Sequence, residues 1–324
     1  MKHFIRAQLL AAAFCGFAAM PTAAFELTAA HVNPAGEPSN VAFAELAERL
    51  KDSKTGLSML VFPQGQVGDE KDAIEQTLLG AISMTTVSTS NLSAFAPSAG
   101  VFDIPFLFNE SAVQPWQVAD GPIGTEIKAK IEAESGLKVL GWWSGGMRHA
   151  FTRNVDIKAA ADLDNLKIRV IGSPVYIDTF NGLGAKATPM PYGEVYTALA
   201  TGTIDAAEND TSGYRNMRFY EQAPHFSLTG HFFLYKVVVM QPAIFESMSD
   251  EQRAEFLEIF EDVTKRQRKL FDENFAADIA FMKENKVTVT EPDRASLIEA
   301  ARPVIEKYEG VFGADLVDRI RNTR

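Results

Sequence analysis

The longest regular segment that the sequence predicts covers residues 249–284 and sets the scale of the fold. Apolar side chains recur there at helical spacing, among them Phe256, Phe260 and Val263, and no proline interrupts them. Ser249 is a suitable cap for the first helical turn. At about 1.5 Å per residue such a helix is roughly 50 Å long. This length exceeds one small domain, so we expect a helix that braces two lobes.

Short strands and helices alternate along the rest of the chain. The apolar runs 57–62, 137–143, 166–171 and 232–240 predict strands, with helical patterns between them. This alternation is typical of an α/β fold with parallel strands. No linker rich in Pro, Gly or Ser divides the sequence. We therefore expect the chain to cross between the lobes more than once.

The amino terminus has the pattern of a secretory signal peptide. Lys2 and Arg6 precede an apolar run, 9–20, that is too short to span a bilayer, and small residues follow it. We expect residues 1–24 to be removed on export; a buried helix or a membrane anchor is the alternative. The single cysteine, Cys15, lies inside this segment. The exported chain is therefore expected to have neither disulfides nor thiolate metal sites.

The charge of the chain disfavours nucleic acid as a partner. The formal net charge is -11, and removal of Lys2 and Arg6 with the signal gives -11 - 2 = -13. So acidic a surface repels phosphate backbones and anionic lipid.

Motifs for common chemistries are missing from the sequence. Nucleophile-elbow, HExxH and P-loop spacings do not occur. His149, His225 and His231 have no mutual spacing typical of metal ligands. We expect no metal, no cofactor and no enzymatic activity, although 42 acidic residues leave a glycosidase-type carboxylate pair open.

Two arginines are candidates for a binding site. Arg169 interrupts the apolar strand 166–171, and a buried guanidinium needs an anion, whose carboxylate its planar fork can bind through two parallel hydrogen bonds. That anion could be a ligand or an internal Asp or Glu. Arg148 follows a Gly-Gly pair at the end of a predicted strand, where open α/β sheets place ligands. A solvated surface arginine is the alternative reading for Arg148.

Five segments in order resemble one protein family, the periplasmic binding proteins of the tripartite ATP-independent (TRAP) transporters. The resemblance covers essentially the whole chain after the signal. The segments are FPQGQVGDE at 62–70, DIPFLF at 103–108, LDNLKIRV at 163–170, PMPYGEVYTALATG at 189–202 and IDAAEN at 204–209.

This resemblance implies the architecture and the role of the chain. We expect two α/β lobes joined by hinge strands and spanned by the long helix. The first lobe would comprise 25–145 and 235–274, and the second 146–234 and 275–324. A periplasmic monomer of this kind captures a small organic carboxylate in the interlobe cleft and delivers it to the transporter's membrane subunits.

The resemblance also implies residues that bind the ligand carboxylate. Arg169 would form a two-pronged salt bridge with it, and Asn209 would donate a hydrogen bond to it. Tyr192 matches an aromatic position that packs on the ligand. Arg148 matches a second basic position.

Four further residues are implied for the rest of the ligand. Glu70 and Ser88 match first-lobe positions that meet its polar end. His31 falls near another such position, and Trp143 is a candidate aromatic wall; packing or loop hydrogen bonding is the alternative for Ser88, His31 and Trp143.

One residue favours a sugar acid as the ligand. Family members that bind short dicarboxylates or sialic acid often have proline after the AEN motif, whereas this chain has Asp210. A polar residue there resembles members that bind uronates. A C4-dicarboxylate or a 2-oxo acid is the alternative ligand. The alternative functions are a binding protein for an ATP-driven transporter, a periplasmic hydrolase or lyase acting on a sugar acid, and a sensor.

Overall fold

The computed structural model describes residues 25–108 and 114–323, whose strands form one mixed sheet of nine strands. The predicted signal peptide lies outside the described residues. The strands are β1 (Phe25–Ala30), β2 (Leu57–Phe62), β3 (Met84–Ser88), β4 (Lys138–Thr152), β5 (Lys167–Val170), β6 (Lys186–Pro189), β7 (Ala206–Asn209), β8 (His225–Met240) and β9 (Thr288–Thr290).

The sheet joins two parallel units through two long antiparallel strands. Its order is β2-β1-β3-β8-β4-β7-β5-β6, and β9 pairs with β8. The β1–β3 pairs and the β5–β7 pairs are parallel, as the alternation predicts. Strands β4 and β8 run antiparallel to each other, and so do the pairs β3–β8 and β4–β7. We call the β1–β3 side the first lobe and the β5–β7 side the second lobe. The predicted two-lobed α/β fold is confirmed, with β4 and β8 as its hinge strands.

A bulge marks the point where β4 passes between the lobes. Ser144 pairs with Tyr235 and Met147 with Phe233, so β4 carries one residue more than β8 over this stretch. Gly146 has a φ of +76°, and a Cβ there would lie 2.7 Å from the Cβ of Asp210. The sequence predicted that this strand ends at 143, before the Gly-Gly pair. Instead the pair bends the strand, which continues through Arg148 to Thr152.

Helices pack around this sheet and take up most of the remaining chain. Short 3₁₀ turns lie at Pro97–Asp103, Ala160–Leu163, Tyr192–Glu194 and Phe219–Glu221. The α-helices are α1 (Pro38–Lys51), α2 (Glu70–Leu78), α3 (Thr89–Leu92), α4 (Gln114–Ala119), α5 (Pro122–Ser135), α6 (Pro174–Gly182), α7 (Val195–Thr201), α8 (Thr211–Asn216), α9 (Pro242–Ser247), α10 (Asp250–Glu284), α11 (Arg294–Phe312) and α12 (Ala314–Asn322).

Separate clusters of buried apolar side chains stabilise the two lobes. In the first lobe Phe43 and Leu46 of α1 belong to one cluster with Phe256 of α10. In the second lobe Phe151 and Tyr214 belong to another, with ring centroids 4.9 Å apart. Each lobe therefore has a core of its own, and a third cluster contains residues of both lobes, among them Val87 of β3 and Val175 of α6.

Helix α10 spans both lobes, as the sequence predicts. Ser249 caps it, with its hydroxyl accepting from the third helical N–H. Near this end the Glu255 carboxylate accepts a 2.7 Å hydrogen bond from Ser53 of the first lobe. Near the other end Asp278 forms a 3.1 Å ion pair with Arg215 of the second lobe. The 35 residues of α10 are thus a brace between the lobes.

A buried glutamine attaches the middle of α10 to the hinge. The Gln267 Oε1 accepts from the Ser144 N–H at 2.8 Å, and its Nε2 donates to the Ser144 carbonyl at 2.8 Å. The same Nε2 donates to the Ser39 hydroxyl at 3.3 Å. Both backbone groups of Ser144 next to the bulge therefore depend on one side chain.

The carboxy-terminal helix α12 corrects the predicted domain boundary. Gln114 of α4 donates to the Arg321 carbonyl at 3.1 Å, and Arg319 pairs with Glu126 of α5 at 2.9 Å. Both partners belong to the first lobe. The assignment of all of 275–324 to the second lobe is therefore wrong for α12. The apolar face of this helix packs against the first lobe.

Replacement of Gln267 by Leu should destabilise the protein. The change leaves two buried backbone groups of Ser144 without their partner, and each unmade buried hydrogen bond costs about 1–3 kcal/mol. We expect the free energy of unfolding in urea to fall by about 2 kcal/mol or more. Lys269→Ala, on the exposed face of the same helix, is the control and should change it by less than about 0.5 kcal/mol. Equal effects of the two variants would contradict this role for Gln267.

Candidate ligand-binding site

A cavity of about 400 Å³ lies between the two lobes. The first lobe contributes Glu70 and Ser88 to its wall, and the second lobe contributes Arg169, Tyr192 and Asn209. Its volume is in the range of small-molecule sites, and polar groups from both lobes converge on it. Five of the predicted site residues therefore meet in one place, and Arg148 also lines it.

Arg169 is a buried cation that the described residues do not pair with an acid. It lies on β5 with 4% of its surface exposed. Its Nε and Nη2 both donate to the Met190 carbonyl, at 3.0 and 2.8 Å. None of the described carboxylates forms an ion pair with it, and burial lowers the pKa of Arg169. A neutral carbonyl offsets little of the free energy lost when a guanidinium leaves water.

Arg148 differs from Arg169 because its charge is compensated inside the protein. It forms an ion pair with Glu208, in which Nη2 donates to Oε1 at 2.8 Å and Nε to Oε2. Burial alone would raise the pKa of Glu208, but Arg148 and a hydrogen bond from His231 bring it down to about 2. The predicted second basic position thus lines the cavity as half of an internal ion pair.

The ion pair of Arg148 also orients Asn209. The Asn209 Oδ1 accepts from Arg148 Nη1 at 3.0 Å and from the Asp210 N–H at 2.9 Å. Its Nδ2 donates to the Tyr192 hydroxyl at 2.8 Å. Both acceptor directions of the amide oxygen are used, so the amide can meet a ligand only as a donor. The Tyr192 ring lies 5.8 Å from the Arg169 guanidinium, which places a flat apolar surface beside that cation.

The first lobe presents a fixed carboxylate. Glu70 opens α2, and its Oε2 accepts from the Ser88 N–H at 3.0 Å and the Ser88 hydroxyl at 2.6 Å. Asn91 donates to the same oxygen at 2.7 Å. All three bonds end on Oε2, so Oε1 is left as an acceptor for hydroxyl groups. Ser88 therefore acts as a support of Glu70.

Sequence reasoning missed a second ion pair in the cavity wall. Lys236 of β8 donates to Glu37 Oε1 at 3.0 Å and to the Ser39 hydroxyl at 3.2 Å. Lys236 and Glu37 both line the cavity. A signal was present, because Lys236 is the one charged residue in the apolar run FFLYKVVVM.

Two predicted site residues do not line the cavity. Trp143 is fully buried, donates to the Thr264 hydroxyl at 2.8 Å and packs with its ring centroid 4.9 Å from that of Phe43. The His31 ring also stacks on Phe43, with ring centroids 5.3 Å apart. Burial, and then the charge of Lys236, lower the pKa of His31 to about 3. The geometry therefore places Trp143 and His31 in the first-lobe core behind the wall, where α10 packs on the sheet.

The DIPFLF segment brings a buried acid close to the Arg148 ion pair. Asp103 is 1% exposed, and its Oδ1 accepts from the Thr89 hydroxyl at 2.7 Å. Burial raises the pKa of Asp103 to about 7; Thr89, Ser90 and the more distant Arg148 oppose this rise, and the Glu208 charge adds to it. Asp103 thus takes up a proton on folding near neutral pH.

Metal-binding clusters and membrane-spanning helices are absent from residues 25–108 and 114–323. Within these ranges no group of three or more His, Cys, Asp or Glu side chains is arranged to hold a metal ion. Over the same part of the chain, none of the helices combines the length and the apolar character that crossing a bilayer requires.

Comparison with known proteins identifies the family. Residues 29–310 match the model of the bacterial extracellular solute-binding proteins of family 7. The chain is 32% identical over 294 residues to the 2,3-diketo-L-gulonate-binding periplasmic protein YiaO of Escherichia coli, covering 90% of this chain and 89% of that protein. The chain therefore belongs to family 7 of the bacterial extracellular solute-binding proteins.

Solved structures agree in fold over nearly the full length. A TRAP periplasmic solute-binding protein from Citrobacter koseri, with bound D-glucuronate, has a TM-score of 0.86 and 33% identity, covering 92% of this chain and 99% of that chain. The sugar-acid-binding protein DctPAm of Advenella mimigardefordensis, in complex with galactonate, has a TM-score of 0.88 and 29% identity, covering 92% and 96%. The resemblance to TRAP binding proteins predicted from the sequence is confirmed.

Replacement of Asp103 by Asn should change how stability depends on pH. An aspartate has an ordinary pKa of 3.8, and that of folded Asp103 is about 7. The folded state therefore holds more protons between these values, so this group lowers stability as pH rises from about 4 to 7. The amide variant lacks this loss and should be more stable than the parent at pH 8, by up to about 4 kcal/mol.

Thermal unfolding from pH 4 to 8 would measure this effect. The gain of the variant over the parent should grow up to pH 7 and then stay constant. Asp262→Asn, at an exposed position of α10, is the control and should show no such trend. If Asp103→Asn gave no gain in stability, or the same gain at every pH, the raised pKa of Asp103 would be contradicted.

Proposed function

We propose that this chain is the extracytoplasmic binding component of a TRAP transporter and captures a sugar monocarboxylate in the interlobe cavity. The observation that carries the proposal is the buried Arg169, which lines the cavity and has no acid partner among the described residues. A ligand carboxylate would complete this ion pair in a low-dielectric site, where the attraction is strong.

The second lobe would hold the carboxylate end of the ligand. Arg169 would bind both carboxylate oxygens, and Asn209 would donate from its amide nitrogen. The Tyr192 ring would pack against the carbon skeleton. Arg148 would act as a positioning residue, because its ion pair with Glu208 fixes the Asn209 amide in the donor orientation.

The distribution of charge favours one carboxylate over two. The cations Arg148 and Lys236 are neutralised by Glu208 and Glu37, so they offer little attraction to a second acid group. The rest of the described wall carries the carboxylates of Glu70 and Asp210 and one further cation, Lys71. Burial, followed by the nearby Glu37 charge, raises the pKa of Asp210 to about 6, against the opposing charges of Arg148 and Lys236. Ligand hydroxyl groups can donate to these carboxylates, whereas for a second ligand carboxylate the described wall offers Lys71 alone.

The relatives support this ligand class. Structures similar to this chain hold D-glucuronate and galactonate, which each combine one carboxylate with several hydroxyls. We therefore favour a uronate or aldonate over a C4-dicarboxylate or a 2-oxo acid.

The cellular role follows from the same proposal. The chain would be exported by its amino-terminal signal to the periplasm, act there as a monomer, and pass the ligand to the membrane subunits of the transporter. Binding without chemical change is expected, with no cofactor. Incubation with D-glucuronate followed by chromatography would test this, because a hydrolase or lyase would yield a product and would contradict the proposal.

Replacement of Arg169 by Gln should abolish ligand binding and leave the fold intact. In a thermal-shift screen of uronates, aldonates, C4-dicarboxylates and 2-oxo acids, a ligand at 100 times its Kd stabilises the parent by about 2.7 kcal/mol. The Gln variant lacks the charge and the fork, so we expect a loss of affinity of a hundredfold or more. Its unfolding without ligand should remain cooperative.

Two further variants sharpen this test. Arg169→Lys keeps a charge but loses the two-pronged geometry, so it should bind more weakly than the parent. Arg302→Gln, at an exposed position, is the control and should bind like the parent. Unchanged affinity of Arg169→Gln would refute the proposed role.

A further inference from the structure

The two lobes touch each other directly at a point outside the cavity wall. Gly36 belongs to the first-lobe turn before α1, and Asn216 ends α8 in the second lobe. A Cβ placed on Gly36 would lie 2.9 Å from the Asn216 Oδ1, closer than real Cβ contacts. At this point the backbone of one lobe therefore meets a side chain of the other with no room for a methyl group.

Both partners of this contact are held in place. The Asn216 Nδ2 donates to the Ser212 carbonyl at 2.8 Å and to its hydroxyl at 3.3 Å, which turns Oδ1 toward Gly36. On the other side the Glu37 N–H donates to the Pro34 carbonyl at 3.2 Å. The contact therefore cannot adjust to an added methyl group without breaking a hydrogen bond or separating the lobes.

A second close approach of the lobes lies at the β5 end of the cavity. Lys71, in the first turn of α2, reaches across so that its Nζ would lie 3.5 Å from a Cβ placed on Gly172. Gly172 follows β5, the strand that carries Arg169. Lys71 and Gly172 both line the cavity, whereas Gly36 and Asn216 do not.

We propose that the Gly36–Asn216 contact and the close approach of Lys71 to Gly172 are closure contacts between the two lobes and set ligand affinity. In a hinged protein they form when the cleft closes and are lost when it opens. A change that weakens them without touching the ligand lowers the fraction of the binding-competent closed form, and the apparent affinity falls in proportion. This inference rests on the proposed function, since it assumes capture in the cavity.

Gly36→Ala, with a matched control, tests the contact that lies away from the cavity wall. Gly36 has a φ of +83°, so alanine is strained there in both the open and the closed form. Gly136, with a φ of +73° and nothing within 4 Å of a Cβ, gives the same backbone strain without a contact between lobes. Both variants should unfold at similarly reduced temperatures in the absence of ligand.

The affinities should then differ between these variants. Calorimetric titration would use whichever of D-glucuronate, D-galacturonate and D-galactonate stabilises the parent most. We expect Gly36→Ala to bind at least tenfold more weakly and Gly136→Ala to bind within twofold of the parent. Adding Asn216→Ala to Gly36→Ala removes the clash and should restore most of the lost affinity.

A second variant covers the case in which Gly36→Ala does not fold. Asn216→Phe places a ring at the partly buried carboxy-terminal end of α8 and should fold, but it should bind at least tenfold more weakly because the ring separates the lobes. Small-angle X-ray scattering with and without the same ligand should show less compaction for this variant than for the parent.

The outcomes separate this inference from the proposed function. If Arg169→Gln loses binding while Gly36→Ala and Asn216→Phe bind like the parent, the closure contacts are wrong and the proposed function stands. If Gly36→Ala is weak and Asn216→Ala does not rescue it, the loss arises in the turn itself, which also overturns the inference. If Arg169→Gln binds like the parent, the proposed function itself fails.

Discussion

The burial of one guanidinium without an acid partner is the constraint on which the account depends. Two arginines line the same cavity, yet the protein treats them differently. Arg148 is neutralised by Glu208, and this pair orients Asn209. Among the described residues, Arg169 donates hydrogen bonds only to the Met190 carbonyl. Its charge therefore remains available to an external anion. One arginine thus belongs to the scaffold of the site, and the other supplies its attraction for the ligand.

The scaffold around that site combines rigid lobes with a hinge that can bend. Each lobe has its own apolar core, and β4 and β8 connect them in one sheet. The bulge at Gly146 bends β4 just before Arg148, so the hinge and the ion pair that orients the site are neighbours in the chain. Helix α10 is attached to the same place through Gln267, which ties the bracing of the lobes to the geometry of the cavity.

Much of the fold was predictable because its signals are local. The long helix follows from apolar periodicity, a capping Ser249 and a lack of proline, and Arg169 is visible as a charge within an apolar strand. The pairing of Arg148 with Glu208 was not predictable, since the partners are 60 residues apart and a neighbouring strand brings them together. Trp143 does not line the cavity for a related reason, because the direction of its side chain depends on the register of β4 with β8. Helix α12 was misplaced because contacts that it makes across the whole chain leave no local pattern.

The most direct test compares a ligand acid with its uncharged amide. The tightest-binding sugar acid and the corresponding sugar amide have nearly the same shape and hydroxyl groups, and they differ at the group that Arg169 is proposed to bind. Titration calorimetry of the exported chain should give an amide affinity lower by about a hundredfold or more, because a buried guanidinium would then lack its anion. Equal affinities would show that the guanidinium does not hold the ligand, and the account would be contradicted.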